Sequence, residues 1–128
     1  MAATPPLTPA LWTAAQAGQT EAVRKLLTKG AAIEERGGPL ESSPLHAACS
    51  KGHAGVVQLL LEHKADASTK ATDGDTPLHD AVLGDHEAVV VLLLENGADA
   101  SAPGDGGGQT PLHHAVQMGF EGVVQLLL

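Results

Sequence analysis

The feature that most constrains this chain is one short segment written three times at nearly equal intervals. Ser43-Pro44-Leu45-His46 returns as Thr76-Pro77-Leu78-His79 and again as Thr110-Pro111-Leu112-His113, at intervals of 33 and 34 residues. Small apolar residues follow each copy: Ala47-Ala48, Ala81-Val82 and Ala115-Val116. A polar or glycine break comes next, and then a Val/Leu run at 56–61, 89–94 and 123–128. An earlier copy is degenerate at its front, where Leu11-Trp12-Thr13-Ala14-Ala15 leads through Gly18 to Val23, Leu26 and Leu27. Regular self-similarity at this period is the mark of a stacked repeat architecture.

Each unit reads as helix, turn, helix and hairpin-like loop. The hydroxyl of Thr76 suits a helix N-cap, and Pro77 at the first helical position gives up an N–H that has no intrahelical partner. Gly52 and Gly119 stand where a helix stops with positive φ. Val56, Val57, Leu60 and Leu61 lie at i, i+1, i+4 and i+5, one face of a second helix. Gly30-Ala31-Ala32 and Gly97-Ala98-Asp99 end such helices, and Asp73-Gly74 is a tight-turn pair in the loop that follows. Helices this short are marginal alone, so stability has to come from unit-to-unit packing.

These residues resemble the ankyrin repeat family, whose signature includes T-P-L-H-x-A at a period near 33. The resemblance extends over about residues 8–128 and implies an all-α solenoid of stacked helix-turn-helix units. The expected units are about 8–41, 42–74, 75–108 and 109–128, after a flexible N-terminal segment 1–7. The last unit is expected to be incomplete, because it ends on the apolar Leu126-Leu127-Leu128 and a terminal repeat needs a polar outer face. Trp12 takes the signature histidine's place in the first unit, which fits a terminal repeat lacking a neighbour on one side. In the third unit the glycine comes one place early, at Gly84, and Asp85 stands where glycine is usual.

Composition narrows the function. Two aromatic residues, Trp12 and Phe120, leave Ala, Leu and Val to fill the core. Formal charge is −8 and unevenly spread: all seven Lys and Arg precede residue 71, against six acids there, whereas residues 71–128 hold nine acids and no Lys or Arg. Such a field repels phosphate backbones, which disfavours nucleic-acid binding. The lone Cys49 allows no disulfide framework and favours a reducing compartment, the cytoplasm or nucleus. The N-terminus lacks the pattern of a signal or transit peptide, and no apolar run approaches the ~20 residues of a membrane span.

Candidate chemistry is sparse. His46, His79 and His113 hold one place in successive units, but helices packed about 8–10 Å apart keep equivalent imidazoles from sharing a metal at about 2.0–2.1 Å. The resemblance implies instead that each bonds its own signature Ser or Thr and nearby backbone. His53 and His86 match each other before the second helix and read as structural. Cys49 replaces Ala15, Val82 and Val116 and reads as a core residue. The glycine run at 104–108 lacks the lysine of a phosphate loop, since Gln109 precedes Thr110. Asp73-Gly74-Asp75 lacks the register of a calcium loop. No catalytic residue, metal or other cofactor, or small-molecule substrate is expected.

The expected work is protein–protein interaction by a monomeric scaffold. The resemblance implies a concave face of hairpin tips and first helices. Its candidate contact residues are Arg36, Leu40, Glu41, Thr72, Asp73, Asp75, Asp105 and Gln109 at the tips. Along the first helices they are Lys51, Asp80, Leu83, His114, Gln117 and Met118. The acids of the later units point to a basic partner segment. The alternative is a targeting or regulatory arm of a larger enzyme or channel.

Overall fold

The computed structural model describes residues 10–104 and 108–128. The expected N-terminal segment 1–7 and the candidate Asp105 lie outside the described residues. Among the described residues eight α-helices follow in order: α1 Ala10–Gln16, α2 Thr20–Thr28, α3 Pro44–Lys51, α4 Ala54–Glu62, α5 Pro77–Leu83, α6 Glu87–Glu95, α7 Pro111–Met118 and α8 Glu121–Leu127. Each odd-numbered helix pairs with the even-numbered helix after it. First helices stack on first helices, α1 on α3 on α5 on α7, and second helices on second helices, α2 on α4 on α6 on α8. One apolar core runs through all four units from Leu11 to Val123. It is built from Ala, Val and Leu, with Cys49 fully enclosed, and burial pushes that thiol well above its usual range.

Ser43, Thr76 and Thr110 cap α3, α5 and α7, each with Pro at the first helical turn. The reciprocal bond of each capping box comes from histidine rather than the usual Glu or Gln. The Ser43 hydroxyl accepts the His46 N–H at 3.2 Å, while His46 Nδ1 accepts the Ser43 N–H at 3.2 Å. Accepting a backbone N–H leaves Nδ1 without a proton, so the proton of the neutral ring sits on Nε2. Nε2 then donates to the Asp75 carbonyl 2.8 Å away, on the loop that opens the next unit. His79 repeats this arrangement and donates to the Gln109 carbonyl at 3.1 Å. His113 closes its own box with Thr110, but its ring is exposed and its Nε2 meets no carbonyl among the described residues.

Trp12, in the signature histidine's place, makes a forward contact of its own. Its Nε1–H donates to Ser42 Oγ at 3.2 Å, and Ser42 holds the place of Asp75 and Gln109 in the following loop. The indole therefore also bridges forward, to a side-chain hydroxyl where the imidazoles meet a backbone carbonyl. The backbone of Gly37 and Gly38 lies on the ring: a Cβ at Gly38 would stand 2.6 Å from Trp12 Cζ2. That close approach accounts for the glycine pair in this tip.

A second set of histidines bridges backwards. His53 Nε2 donates to the Gln16 carbonyl at 3.0 Å, and His86 Nε2 to the Ser50 carbonyl at 3.1 Å. Each ring lies over the glycine ending the previous unit's first helix: a Cβ on Gly18 would come within 2.7 Å of His53 Cε1, and one on Gly52 within 2.7 Å of His86 Cε1. The early glycine of the third unit abuts the ring of its own unit's histidine, since a Cβ on Gly84 would run into His86. Displacing the glycine leaves Asp85 to take the left-handed conformation, φ +57°, that Gly18, Gly52 and Gly119 adopt at +73°, +75° and +74°.

The outer side of the last unit is uncovered. Val116 is 60% exposed, whereas its counterparts Cys49 and Val82 are fully enclosed. Gly119 has nothing over it where Gly18 and Gly52 carry an imidazole.

Two outcomes follow for urea unfolding. His46→Ala lowers stability by about 2–4 kcal/mol, because it strands buried backbone groups, whereas His113→Ala costs about 1 kcal/mol, the loss of a cap alone. Asp85→Gly raises stability by about 1 kcal/mol by removing left-handed strain from a residue with a Cβ.

Candidate functional site

The hairpin tips are tied down by backbone hydrogen bonds and by one arginine. Gly37 and Ser42 exchange N–H···O bonds at 3.0 and 3.1 Å across the first tip. In the second, Ala71 N–H donates to the Asp75 carbonyl at 3.0 Å. Thr72 N–H reaches the Leu40 carbonyl at 2.9 Å, joining the two tips directly. Arg36 strengthens that joint: its guanidinium donates to the carbonyls of Glu41 and Lys70 at 2.9 and 2.8 Å and to Thr69 Oγ1 at 2.6 Å. Its five N–H donors suit it to such bridging. Arg36 thus holds the tips together, although its side chain remains exposed.

Between these tips and the first helices lies a groove of about 150 Å³. Leu40, Lys51, Asp73 and Asp80 from the candidate contact residues converge on it. Trp12, Gln16, Ala47 and Ala71 are among its other lining residues. Leu40 is 47% exposed, so the groove has an open apolar lip. Asp73 and Asp80 face the same space, and neither is in a salt bridge with a described residue. Asp73 Oδ1 accepts the Asp75 N–H at 3.0 Å, which fixes the carboxylate at the turn. Asp80 is half-buried on α5. Burial, then the charges of Asp75 and Asp73, push its carboxyl up to about 7.

Asp75 needs correcting as a surface contact. It is buried, its carbonyl receives His46 Nε2, and its carboxylate lies beneath the Gly104 backbone. Its position two residues after Asp73 puts it under the turn rather than on it. Gln109 is half-buried, and its carbonyl receives both His79 Nε2 and the Gly104 N–H. His114 is half-buried, with its ring edge-on to His79 at 5.9 Å and its enclosed Nε2 lacking a hydrogen-bond partner. Thr72 and Glu41 are exposed on the tips, and Glu41 has φ +48°. Leu83 and Met118 are exposed at 40% and 55%, with Gln117 also open to solvent; none of the three lines the groove.

Trp12 was missing from the sequence candidates for this site. Its signal was its place in the histidine register. An indole there brings a larger apolar surface to the same end of the first helix. Among the described residues no three His, Cys, Asp or Glu side chains gather as metal ligands, and no helix is long and apolar enough to cross a membrane. Asp66 and Asp99 cap their own turns, each accepting the N–H two residues on, from Ser68 and Ser101.

The sequence that forms these units matches a family model described as ankyrin repeats (3 copies), over residues 11–103 and 69–128. The chain belongs to the ankyrin repeat family. Curated relatives match shorter stretches. Palmitoyltransferase ZDHHC13 of Mus musculus is 50% identical over 46 residues, 36% of this chain and 7% of that protein. An ankyrin repeat-containing protein of Schizosaccharomyces pombe is 39% identical over 72 residues, 54% of this chain and 33% of that protein. Ankyrin repeat and SOCS box protein 11 of Danio rerio is 40% identical over 67 residues, 52% of this chain and 22% of that protein. The matched ankyrin stretch is thus a third or less of each of these relatives.

Asp80→Asn tests the electrostatics of the groove. A carboxyl held above its usual 3.8 favours the folded state below that value, and the advantage is lost as pH rises through about 7. Thermal unfolding should therefore show Asp80→Asn more stable than wild type at pH 8, with the difference shrinking towards pH 5.

Proposed function

We propose that this ankyrin domain is a protein-interaction module that binds a partner through its first helices and hairpin tips, and that the bound segment is basic. The observation that carries this reading is the groove itself. Trp12, Leu40, Ala47 and Ala71 line it together with Asp73 and Asp80, and these two carboxyl groups form no salt bridge with a described residue, although Lys51 lines the same groove. Complementary charge at such a surface raises the association rate and selects partners. Leu83 and Met118, further along the first helices, offer adaptable apolar contacts beyond it. The module is read as non-catalytic and monomeric. Its enclosed thiol at Cys49 suits the reducing cytoplasm or nucleus.

A second reading has its own support. Several relatives are named palmitoyltransferases, and the stretch they share with this chain is a small part of each. In that reading the repeats serve as the substrate- or partner-recruiting arm of a larger enzyme. Both readings use the same binding face.

Selection from a random peptide library tests the common claim. Peptides retained by wild type should carry net positive charge. They should be lost on Asp73→Lys and on Leu83→Glu/Met118→Glu, and should weaken as salt rises to about 0.5 M. Enrichment of uncharged peptides that bind wild type and Asp73→Lys equally would remove the electrostatic part of the reading.

A further inference from the structure

The groove has the dimensions and the polarity of a seat for one side chain. Its walls come from three successive units: Trp12 on α1, Ala47 on α3 and Asp80 on α5, with Leu40 and Asp73 on the two joined tips. Its lining combines apolar residues with two carboxyl groups, and it also includes Lys51. We propose that the groove receives a single partner side chain with an aliphatic stem and a cationic head, lysine or arginine, the stem lying along Trp12, Leu40 and Ala47 and the head between Asp73 and Asp80. This rests on the reading of the first-helix face as a partner surface and specifies what that surface recognises.

The physical case is complementarity to both kinds of lining at once. A long cationic side chain buries its methylenes while keeping its charge beside polar atoms. A hydrophobic side chain would satisfy Trp12 and Leu40 but strip water from two carboxylates. An acidic side chain would meet like charge. Asp73 is already fixed by the Asp75 N–H, and the Thr72–Leu40 and Arg36 bridges hold the tips, so the seat is largely formed before binding. The groups around Asp80 set the local field: Asp73 and Asp75 from the second tip, Lys51, His46 and the neutral Cys49 from α3, His79 on α5 and His114 on α7. Lys51 is exposed and makes no salt bridge with Asp80, leaving the carboxyl for an incoming cation.

Seating a cation favours the ionised form of Asp80. At neutral pH the carboxyl therefore gives up a proton to solvent as the cation enters. Affinity for a cationic probe should rise between pH 6 and pH 8 by up to about tenfold.

Nuclear magnetic resonance titration of the whole chain tests the seat. The probes are N-acetyl-arginine methylamide and N-acetyl-lysine methylamide, with the citrulline analogue as a neutral isostere of arginine. The expected result is a saturable shift of the Trp12 indole N–H and of the Asp73 and Asp80 amides. Citrulline should bind about tenfold more weakly than arginine, and the stronger of the two cations names the preferred head group. Asp73→Asn/Asp80→Asn should abolish the response. Asn keeps the Oδ1 acceptor for Asp75, and circular dichroism checks the fold. Asp80→Asn alone should flatten the pH dependence. No saturable shift, or an equal response to citrulline, would overturn the cation seat. A flat wild-type pH profile would remove Asp80 as its partner. If library-selected peptides still bound in either case, the interaction module would stand and only the cation seat would fall.

Discussion

The stack depends on a neutral imidazole held between two backbone groups. His46 and His79 each take a backbone N–H on Nδ1 and give their Nε2 proton to a carbonyl of the next unit. One ring therefore closes the first turn of its own helix and fixes the position of the following loop. The arrangement fails if the ring is protonated, because Nδ1 can then no longer accept. Burial holds His46 below its usual 6.5, so the folded state resists protonation. The unfolded chain takes the proton more readily, and stability from this source is lost as pH falls below about 6.5.

His53 and His86 carry the linkage in the opposite direction, from the start of a second helix to the end of the preceding unit's first helix. Together the two sets tie α3 to its neighbours at both ends, α5 at its start and α1 at its end. Helices of seven to nine residues have little stability of their own, so these ties and the shared apolar core supply most of it. The same ties determine the glycines. Gly18 and Gly52 meet a double demand, positive φ and room for an imidazole. In the third unit Gly84 lies against the ring of its own unit's His86, and Asp85 adopts the positive φ.

The tips show how a binding surface can be built from structural parts. Arg36 spans the first and second tips, and Asp75 anchors the imidazole of the unit before it. Neither role requires a partner. What remains open to one is the groove beside these bonds, lined by Asp73, Asp80, Trp12 and Leu40 among others. Rigidity in the tips lowers the ordering cost of binding there.

The sequence alone determined the helix pairs, their caps and their stacking, because the signature residues act locally and recur at a fixed period. Ser43 with His46 and Thr76 with His79 are three residues apart, and their geometry follows from the helix. It also picked out Leu40, Lys51, Asp73 and Asp80 as candidates, through their place on tips and first helices. Only the tertiary structure decided which candidates share a space. Asp75 and Asp73 are two residues apart in one turn, yet one is buried and the other faces the groove, because the loop folds beneath the next imidazole. Trp12 stands in the signature histidine's place in the sequence, and only the fold brings its indole to Ser42, thirty residues away. Contacts of that kind depend on the distance between units, which the period of the sequence implies but the side chains themselves must span.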